Sequence, residues 1–160
     1  MRLQGSNGPE IRAFLADEML GRLSRTLRLL GFDTEYVKGV EDAALLARAD
    51  ADGRALLTRD TQLAERARAR GLACVLVRAI EHEAQAREVL AALALVPDPA
   101  RLMSRCSACN AELRPARDDE AAAAPEGARP PFWRCDGCGK LYWEGSHGPR
   151  IRKMAERLGR

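Results

Sequence analysis

The chain has 160 residues and a formal net charge of +3, and 46% of its residues are hydrophobic although only 4% are aromatic. This length fits one ordinary domain, or one domain with a small appendage, whose core is packed mainly by Ala, Leu and Val. No apolar run approaches the roughly 18 residues of a membrane span, and no secretory signal is visible. These features exclude a membrane-spanning protein and predict a cytoplasmic one.

The charge is unevenly distributed along the chain. Residues 1–100 carry 14 basic and 15 acidic side chains, whereas residues 101–160 carry 12 basic and 8 acidic ones. Clustered cations bind polyanions by releasing counterions, so the C-terminal part favours a nucleic-acid partner. The alternative is a coding bias toward Arg and Ala with no bearing on partners.

Strand-like and helix-like segments alternate after a polar leader at 1–10. We expect strands at 11–15, 34–37, 55–57 and 72–77, and helices at 19–30, 43–51, 63–70 and 81–95. This alternation predicts right-handed βαβ units, and therefore an α/β domain over 11–97 with a parallel sheet covered on both faces. Pro97 and Pro99 mark its end.

Four cysteines in two Cys-x-x-Cys pairs follow that boundary: Cys106, Cys109, Cys135 and Cys138. Two such turns can surround one ion with four sulfurs, which is typical of a structural zinc ribbon. The shell leaves no open coordination position, so this zinc is expected to build structure rather than to catalyse. The alternatives are two disulfides, or thiols with no joint role. We expect the ribbon to span 101–147 with a mobile insertion at 115–131, followed by a basic tail at 148–160.

Three aspartates follow or adjoin the carboxyl ends of predicted strands. Asp17 follows the first strand, Asp60 follows the third, and Asp42 opens the helix after the second. Ligands of open parallel sheets bind at this edge, and converging carboxylates repel one another unless a hard cation such as Mg²⁺ or Mn²⁺ joins them. The pattern therefore points to metal-assisted phosphodiester hydrolysis. The alternative for each aspartate is helix capping. Three other acids are expected at the opposite edge as solvated turn residues: Asp33, Asp50 and Asp52.

Several basic and aromatic side chains are candidates for contact with RNA. On the first helix these are Arg22, Arg25 and Arg28, and after the second cysteine pair they are Tyr142, Trp143, His147 and Arg150. Arginines hold phosphates, and aromatic rings stack on unpaired bases, so single-stranded RNA is the expected partner. The alternatives are the polar face of an amphipathic helix and packing of the ribbon's aromatic residues.

Ordered motifs in this chain resemble a known family. FLADEMLGRL at 14–23, LRLLGFDT at 27–34, LLTRD at 56–60, the cysteine pairs and YWEGSH at 142–147 resemble a PIN-like ribonuclease family named for the C-terminal domain of the Mut-seven exoribonuclease. The resemblance covers roughly 11–154. It implies a PIN-like three-layer α/β/α domain, a metal-dependent ribonuclease site at Asp17, Asp42 and Asp60, and a C-terminal zinc ribbon. PIN nucleases commonly use a fourth acid, but Arg78 stands at the end of the fourth strand, so that acid is unassigned.

Two other functions compete with a ribonuclease. One is a non-catalytic RNA-binding or ribosome-associated adaptor that uses the ribbon and the tail, with the aspartates acting only as caps. The other is a phosphoacceptor signalling domain, because Asp17 and Asp60 resemble that layout, although the Lys after a fifth strand is missing.

Overall fold

The computed structural model describes residues 11–145 and 147–160, so the predicted leader lies outside the described residues. The first part contains four strands and four helices in alternation. These are β1 (Ala13–Ala16), α1 (Gly21–Leu29), β2 (Asp33–Tyr36), α2 (Asp42–Ala51), β3 (Ala55–Thr58), α3 (Thr61–Ala69), β4 (Cys74–Leu76) and α4 (His82–Ala92). The predicted first helix begins with a 3-10 turn, Glu18–Leu20, whose first N–H group is capped by Asp17.

The four strands form one parallel sheet in the order β2-β1-β3-β4. Alternate residues of a strand point to opposite faces, and the buried residues divide accordingly. Phe14, Ala16 and Leu57 pack against α1 and α4, whereas Leu15 and Leu56 pack against α2 and α3. The predicted α/β fold, with helices covering both faces of a parallel sheet, is confirmed.

The helices leave the sheet on opposite faces after its two central strands. α1 follows β1 on one face and α3 follows β3 on the other, so a crevice opens between the carboxyl ends of these strands. Open α/β sheets bind their ligands at such a topological switch point.

The cysteine-rich part forms a second, antiparallel sheet of β5 (Leu113–Pro115), β6 (Phe132–Cys135) and β7 (Leu141–Trp143). The segment between β5 and β6 contains the short helix α5 (Asp118–Ala121), and Arg114 contacts Glu120 at 2.8 Å. The expected mobility of 115–131 stays a prediction.

The basic tail forms a long helix, α6 (His147–Leu158), that packs on the first sheet's helical layer. Ala155 and Leu158 are buried in the same cluster as α4, and Arg157 contacts Glu83 at 2.7 Å. Within the described ranges, none of the helices has the length and apolar character needed to cross a membrane.

Candidate active site

A buried threonine links the two aspartates that flank the crevice. The Thr58 hydroxyl donates a hydrogen bond to Asp17 Oδ2 at 3.0 Å and accepts one from the Asp60 backbone N–H, also at 3.0 Å. Thr58 is completely buried at the end of β3. A single hydroxyl therefore fixes Asp17 and the backbone of Asp60 relative to each other across the switch point.

A cavity of about 180 Å³ lies at this edge of the sheet. Four acidic residues line it: Asp17, Glu18, Asp42 and Asp60. Exposed apolar side chains form part of its rim, including Met19, which is 67% exposed, and Val40. The structure thus brings the three predicted aspartates to one cavity together with Glu18.

The capping alternative holds for two of the aspartates and not for the third. Asp17 accepts a hydrogen bond from the Glu18 N–H, and Asp60 accepts one from the Leu63 N–H at 3.1 Å, so both cap helical turns. Asp42 is instead the first residue of α2, after the N-cap Glu41. Its Oδ2 lies 2.9 Å from Nη1 of Arg66. Asp42 is therefore oriented by an ion pair.

The oxygen donors of the cavity suit a hard cation. Among residues 11–145 and 147–160, the four cysteines form the group of three or more metal-ligating side chains whose donor atoms all lie within 4.8 Å of one another. Among those residues, the carboxylates of the cavity form no such group, so their oxygen atoms lie farther apart. Mg²⁺ keeps several of its waters and is held directly by one or two carboxylates. Asp17 and Asp60 could hold such an ion directly, and the other acids could contact its water ligands. The donor set fits Mg²⁺ or Mn²⁺.

A carboxylate does reach the end of β4, but it comes from α4. The backbone N–H groups of Arg78 and Ala79 donate to Glu88 at 2.9 to 3.1 Å. A search of the sequence for a fourth acid looks directly after the strand. It misses Glu88 because Glu88 lies ten residues downstream of Arg78. Because Glu88 is bound to two backbone donors, it stabilises the turn into α4.

The four predicted cysteines form one cluster. The Sγ atoms of Cys106 and Cys138 lie 3.6 Å apart, and those of Cys109 and Cys135 lie 3.4 Å apart. All five cysteines of the chain are free, so the disulfide alternative does not hold. Sulfurs around a tetrahedral Zn²⁺ are separated by about 3.8 Å, given Zn–S bonds of about 2.3 Å. The cluster therefore has the dimensions of a zinc site.

Close packing around the sulfurs explains a glycine in the second knuckle. A Cβ atom at Gly137 would lie 3.1 Å from Cys109 Sγ and 3.6 Å from Cys135 Sγ. In the first knuckle, Asn110 takes a positive φ of 74°, a conformation that Asn tolerates better than most residues. These positions allow the two turns to close around one ion.

The electrostatics of the cluster also favour a bound cation. Burial alone would raise the pKa of Cys106, but hydrogen bonds from the Tyr142 hydroxyl and from the N–H groups of Cys109 and Ala108 lower it to about 6. Burial and the neighbouring sulfurs raise the pKa of Cys109 to about 12. Neighbouring sulfurs this close together disfavour one another's charge, and a bound dication would compensate that charge and hold them as thiolates.

Arg28 ties the first cysteine knuckle to the α/β part. Arg28 is buried, and its guanidinium donates to the carbonyl oxygens of Thr34 at 2.8 Å, Ser107 at 3.0 Å and Ala108 at 3.1 Å. Its burial lowers the pKa of Arg28, while the nearby Cys106 sulfur acts in the opposite direction. In place of the expected phosphate contact, Arg28 makes a structural contact, because the ribbon covers this end of α1.

Asp33, beside the contact that Arg28 makes, lies in a different environment from the one that the sequence predicts. Asp33 is expected to be a solvated turn residue, but it is partly buried and accepts hydrogen bonds from Arg54 at 2.8 Å and Asn110 at 2.7 Å. Burial raises the pKa of Asp33, but these hydrogen-bond donors outweigh that effect and hold the pKa below its ordinary value. Asp33 begins β2, so the ribbon docks at the amino edge of the sheet, opposite the acidic cavity.

The remaining candidates for RNA contact lie on α1 or near the cysteine cluster and the start of α6. Arg22 and Arg25 are exposed on α1, and Arg22 Nη1 lies 2.8 Å from His82 Nε2. Tyr142 is half-buried, with its hydroxyl 3.0 Å from Cys106 Sγ, so it supports the cluster. The others are exposed near the start of α6: Trp143, His147 and Arg150.

A model of the family described as Mut7-C RNAse domain matches residues 12–155. This match confirms the family indicated by the sequence motifs. Neither a curated protein nor a solved structure matches the chain.

Proposed function

Since the chain belongs to the Mut7-C RNAse domain family, we propose that it is a ribonuclease that hydrolyses RNA phosphodiester bonds with Mg²⁺ or Mn²⁺ at Asp17, Asp42 and Asp60. The family itself indicates a nuclease that acts on RNA. The observation that carries the metal-dependent proposal is the cavity at the switch point, which these three residues line together with Glu18.

The chain's own residues would provide the positioning. Thr58 holds the Asp17 carboxylate, and the Asp60 side chain is fixed by its hydrogen bond to the Leu63 N–H. Two positioned carboxylates at one edge can orient a hydrated ion and the attacking water with little rearrangement. A bound divalent cation would lower the pKa of that water and neutralise charge on the phosphate.

The zinc ribbon has a separate role in this proposal. The four cysteines would hold structural Zn²⁺, and the docked ribbon would help to hold RNA through exposed Trp143, His147 and Arg150, with Arg22 and Arg25 on α1. Exposed aromatic and basic side chains suit single-stranded RNA, whose bases can stack on rings. A free thiolate cluster also suits the reducing cytoplasm.

A non-catalytic RNA-binding adaptor is the second candidate. Asp17 and Asp60 both cap helical turns, and a structural role of this kind needs no metal. The phosphoacceptor alternative lacks support, because the parallel sheet in the described part of the chain has four strands and ends at β4.

Cleavage with controlled metal content separates the two candidates. A chelator can also remove zinc from the cysteines, so the protein is first loaded with Zn²⁺ and then assayed with labelled single-stranded and structured RNA, with or without added Mg²⁺ or Mn²⁺. The proposal expects single-stranded RNA to be cleaved only when Mg²⁺ or Mn²⁺ is added. Salt-sensitive binding without cleavage under either metal would favour the adaptor.

A further inference from the structure

The acidic cavity carries more negative charge than its own described contacts compensate. Four acidic residues line it, and an RNA backbone that approaches it would be repelled. Among the ion pairs of the described residues, one involves a carboxylate of this cavity, namely Asp42 with Arg66. Arg66 is therefore the cation in direct contact with the site.

Arg66 is placed to reach a ligand of this cavity. It lies in the second turn of α3 and lines an adjoining cavity of about 570 Å³. The two cavities share Gly39, Val40 and Asp42, so they form a continuous surface from the crevice to Arg66. A strand bound across the aspartates would pass beside this guanidinium.

The side chain of Arg66 also has unused binding capacity. Nη1 contacts Asp42, and about half of the side chain is exposed, at 47%. The ion pair with Asp42 leaves most of the five N–H donors of the guanidinium for solvent or a ligand. A guanidinium fork matches the paired oxygens of a phosphate, which it binds more specifically than an ammonium group does.

We propose that Arg66 is an RNA-phosphate-binding residue, held at the rim of the acidic cavity by Asp42. This inference rests on the proposed function for the identity of the ligand. Arg66 would contact the phosphodiester beside the one at the aspartates, and so position the strand for cleavage. Asp42 would then have two roles, with Oδ2 on Arg66 and the rest of its carboxylate toward the cavity.

The test compares Arg66→Ala with Arg70→Ala, which removes the same charge from the same helix. Arg70 is exposed at the end of α3, about 6 Å further along the helix axis and away from the cavity. The zinc-loaded protein is titrated onto a fluorescently labelled single-stranded RNA without Mg²⁺ or Mn²⁺, so that the RNA stays intact. The dissociation constant is measured over a range of salt concentrations.

We expect Arg66→Ala to weaken binding about fivefold to tenfold and to reduce the slope of log K against log salt by about 0.7, the contribution of one phosphate contact on a single strand. Arg70→Ala should stay within about twofold of wild type with an unchanged slope, and Arg66→Lys should restore the slope because it keeps the charge. Equal effects of the two alanine variants, or no effect of Arg66→Ala, would overturn the inference.

The binding readout also separates this inference from the ribonuclease proposal. If the protein cleaves RNA, Arg66→Ala should raise KM because a phosphate contact is lost, and it should also lower kcat because Asp42 loses the ion pair that orients it. If the protein binds RNA without cleaving it, a reduced slope would still support Arg66 as a phosphate ligand, whereas the ribonuclease proposal would fail. A wild-type protein that binds no RNA would refute the role of Arg66.

Discussion

Replacing Arg28 by Met should destabilise the protein and loosen the cysteine cluster that we propose holds zinc. The substitution keeps a long side chain but removes the three hydrogen bonds to the Thr34, Ser107 and Ala108 carbonyl oxygens. Hydrogen bonds to a charged donor contribute about 1.5–3 kcal/mol each, so their sum sets an upper bound of about 4.5–9 kcal/mol. Part of this is offset, because burial disfavours the charged guanidinium, as its lowered pKa shows. We expect a net loss of about 2–4 kcal/mol in the free energy of unfolding.

Urea unfolding followed by circular dichroism measures this loss, and a chromogenic chelator measures the rate of zinc release. The matched control is Arg25→Met, one turn earlier on α1, where the side chain is exposed. A loss of this size lowers Tm by about 5–15 °C for a chain of this length, and zinc should leave faster because the knuckle carbonyls lose their donor. An Arg28 variant that matches the Arg25 variant to within about 0.5 kcal/mol and releases zinc at the same rate would refute a stabilising role for these three hydrogen bonds.

Two further predictions concern the crevice and the tail. Thr58→Val removes the hydroxyl that joins Asp17 to the Asp60 backbone, so RNA cleavage should fall about tenfold to a hundredfold while Thr58→Ser stays near wild type. Equal turnover by the Val and Ser variants would show that the hydroxyl does not position the site. Hydrogen bonds from Arg157 lower the pKa of Glu83 below its ordinary value of 4.5. The ion pair of Glu83 with Arg157 therefore stabilises the folded state at pH values above that ordinary pKa. Its contribution is lost as the pH falls through the lower pKa that Glu83 has in the folded state. Thermal unfolding between about pH 3 and pH 6 should show a weaker acid dependence in Glu83→Gln than in wild type, and identical pH profiles would contradict this linkage.

The sequence was sufficient to predict the elements that position the aspartates. Strong apolar periodicity located the strands and helices of the parallel sheet, and the rule that ligands bind at the carboxyl ends of parallel strands pointed to Asp17 and Asp60. The two cysteine pairs were equally informative, because their spacing reflects the geometry of a four-sulfur shell. Sequence patterns correctly predicted those features of the fold whose contacts are close in the chain or follow from strand direction.

The sequence could not reveal contacts that depend on where the ribbon docks. Arg28 lies on a helix with a regular polar face, and its partner carbonyls are 79 and 80 residues away. The solvated environment predicted for Asp33 was wrong for the same reason, since only the folded chain brings Asn110 beside it. Likewise, the ion pair of Asp42 with Arg66 joins two helices and leaves no trace in local spacing.

The docking position also separates the two proposed metal sites. Arg28 and Asp33 hold the ribbon at the amino edge of the sheet, whereas the acidic cavity lies at the carboxyl edge. A four-residue strand separates these edges by about 13 Å. The ribbon therefore does not complete the cavity, and a strand of RNA must extend along the domain to contact both.

The most direct test of the account is cleavage of a labelled single-stranded RNA by the Asp17→Asn variant in Mn²⁺. Asp50→Asn is the matched control, because Asp50 is an exposed acid near the end of α2, away from the cavity. We expect wild type and Asp50→Asn to cleave alike, and Asp17→Asn to lose about a thousandfold or more in rate while keeping its circular dichroism spectrum and zinc content. Cleavage by Asp17→Asn at the wild-type rate would contradict the assignment of the catalytic metal site to this cavity.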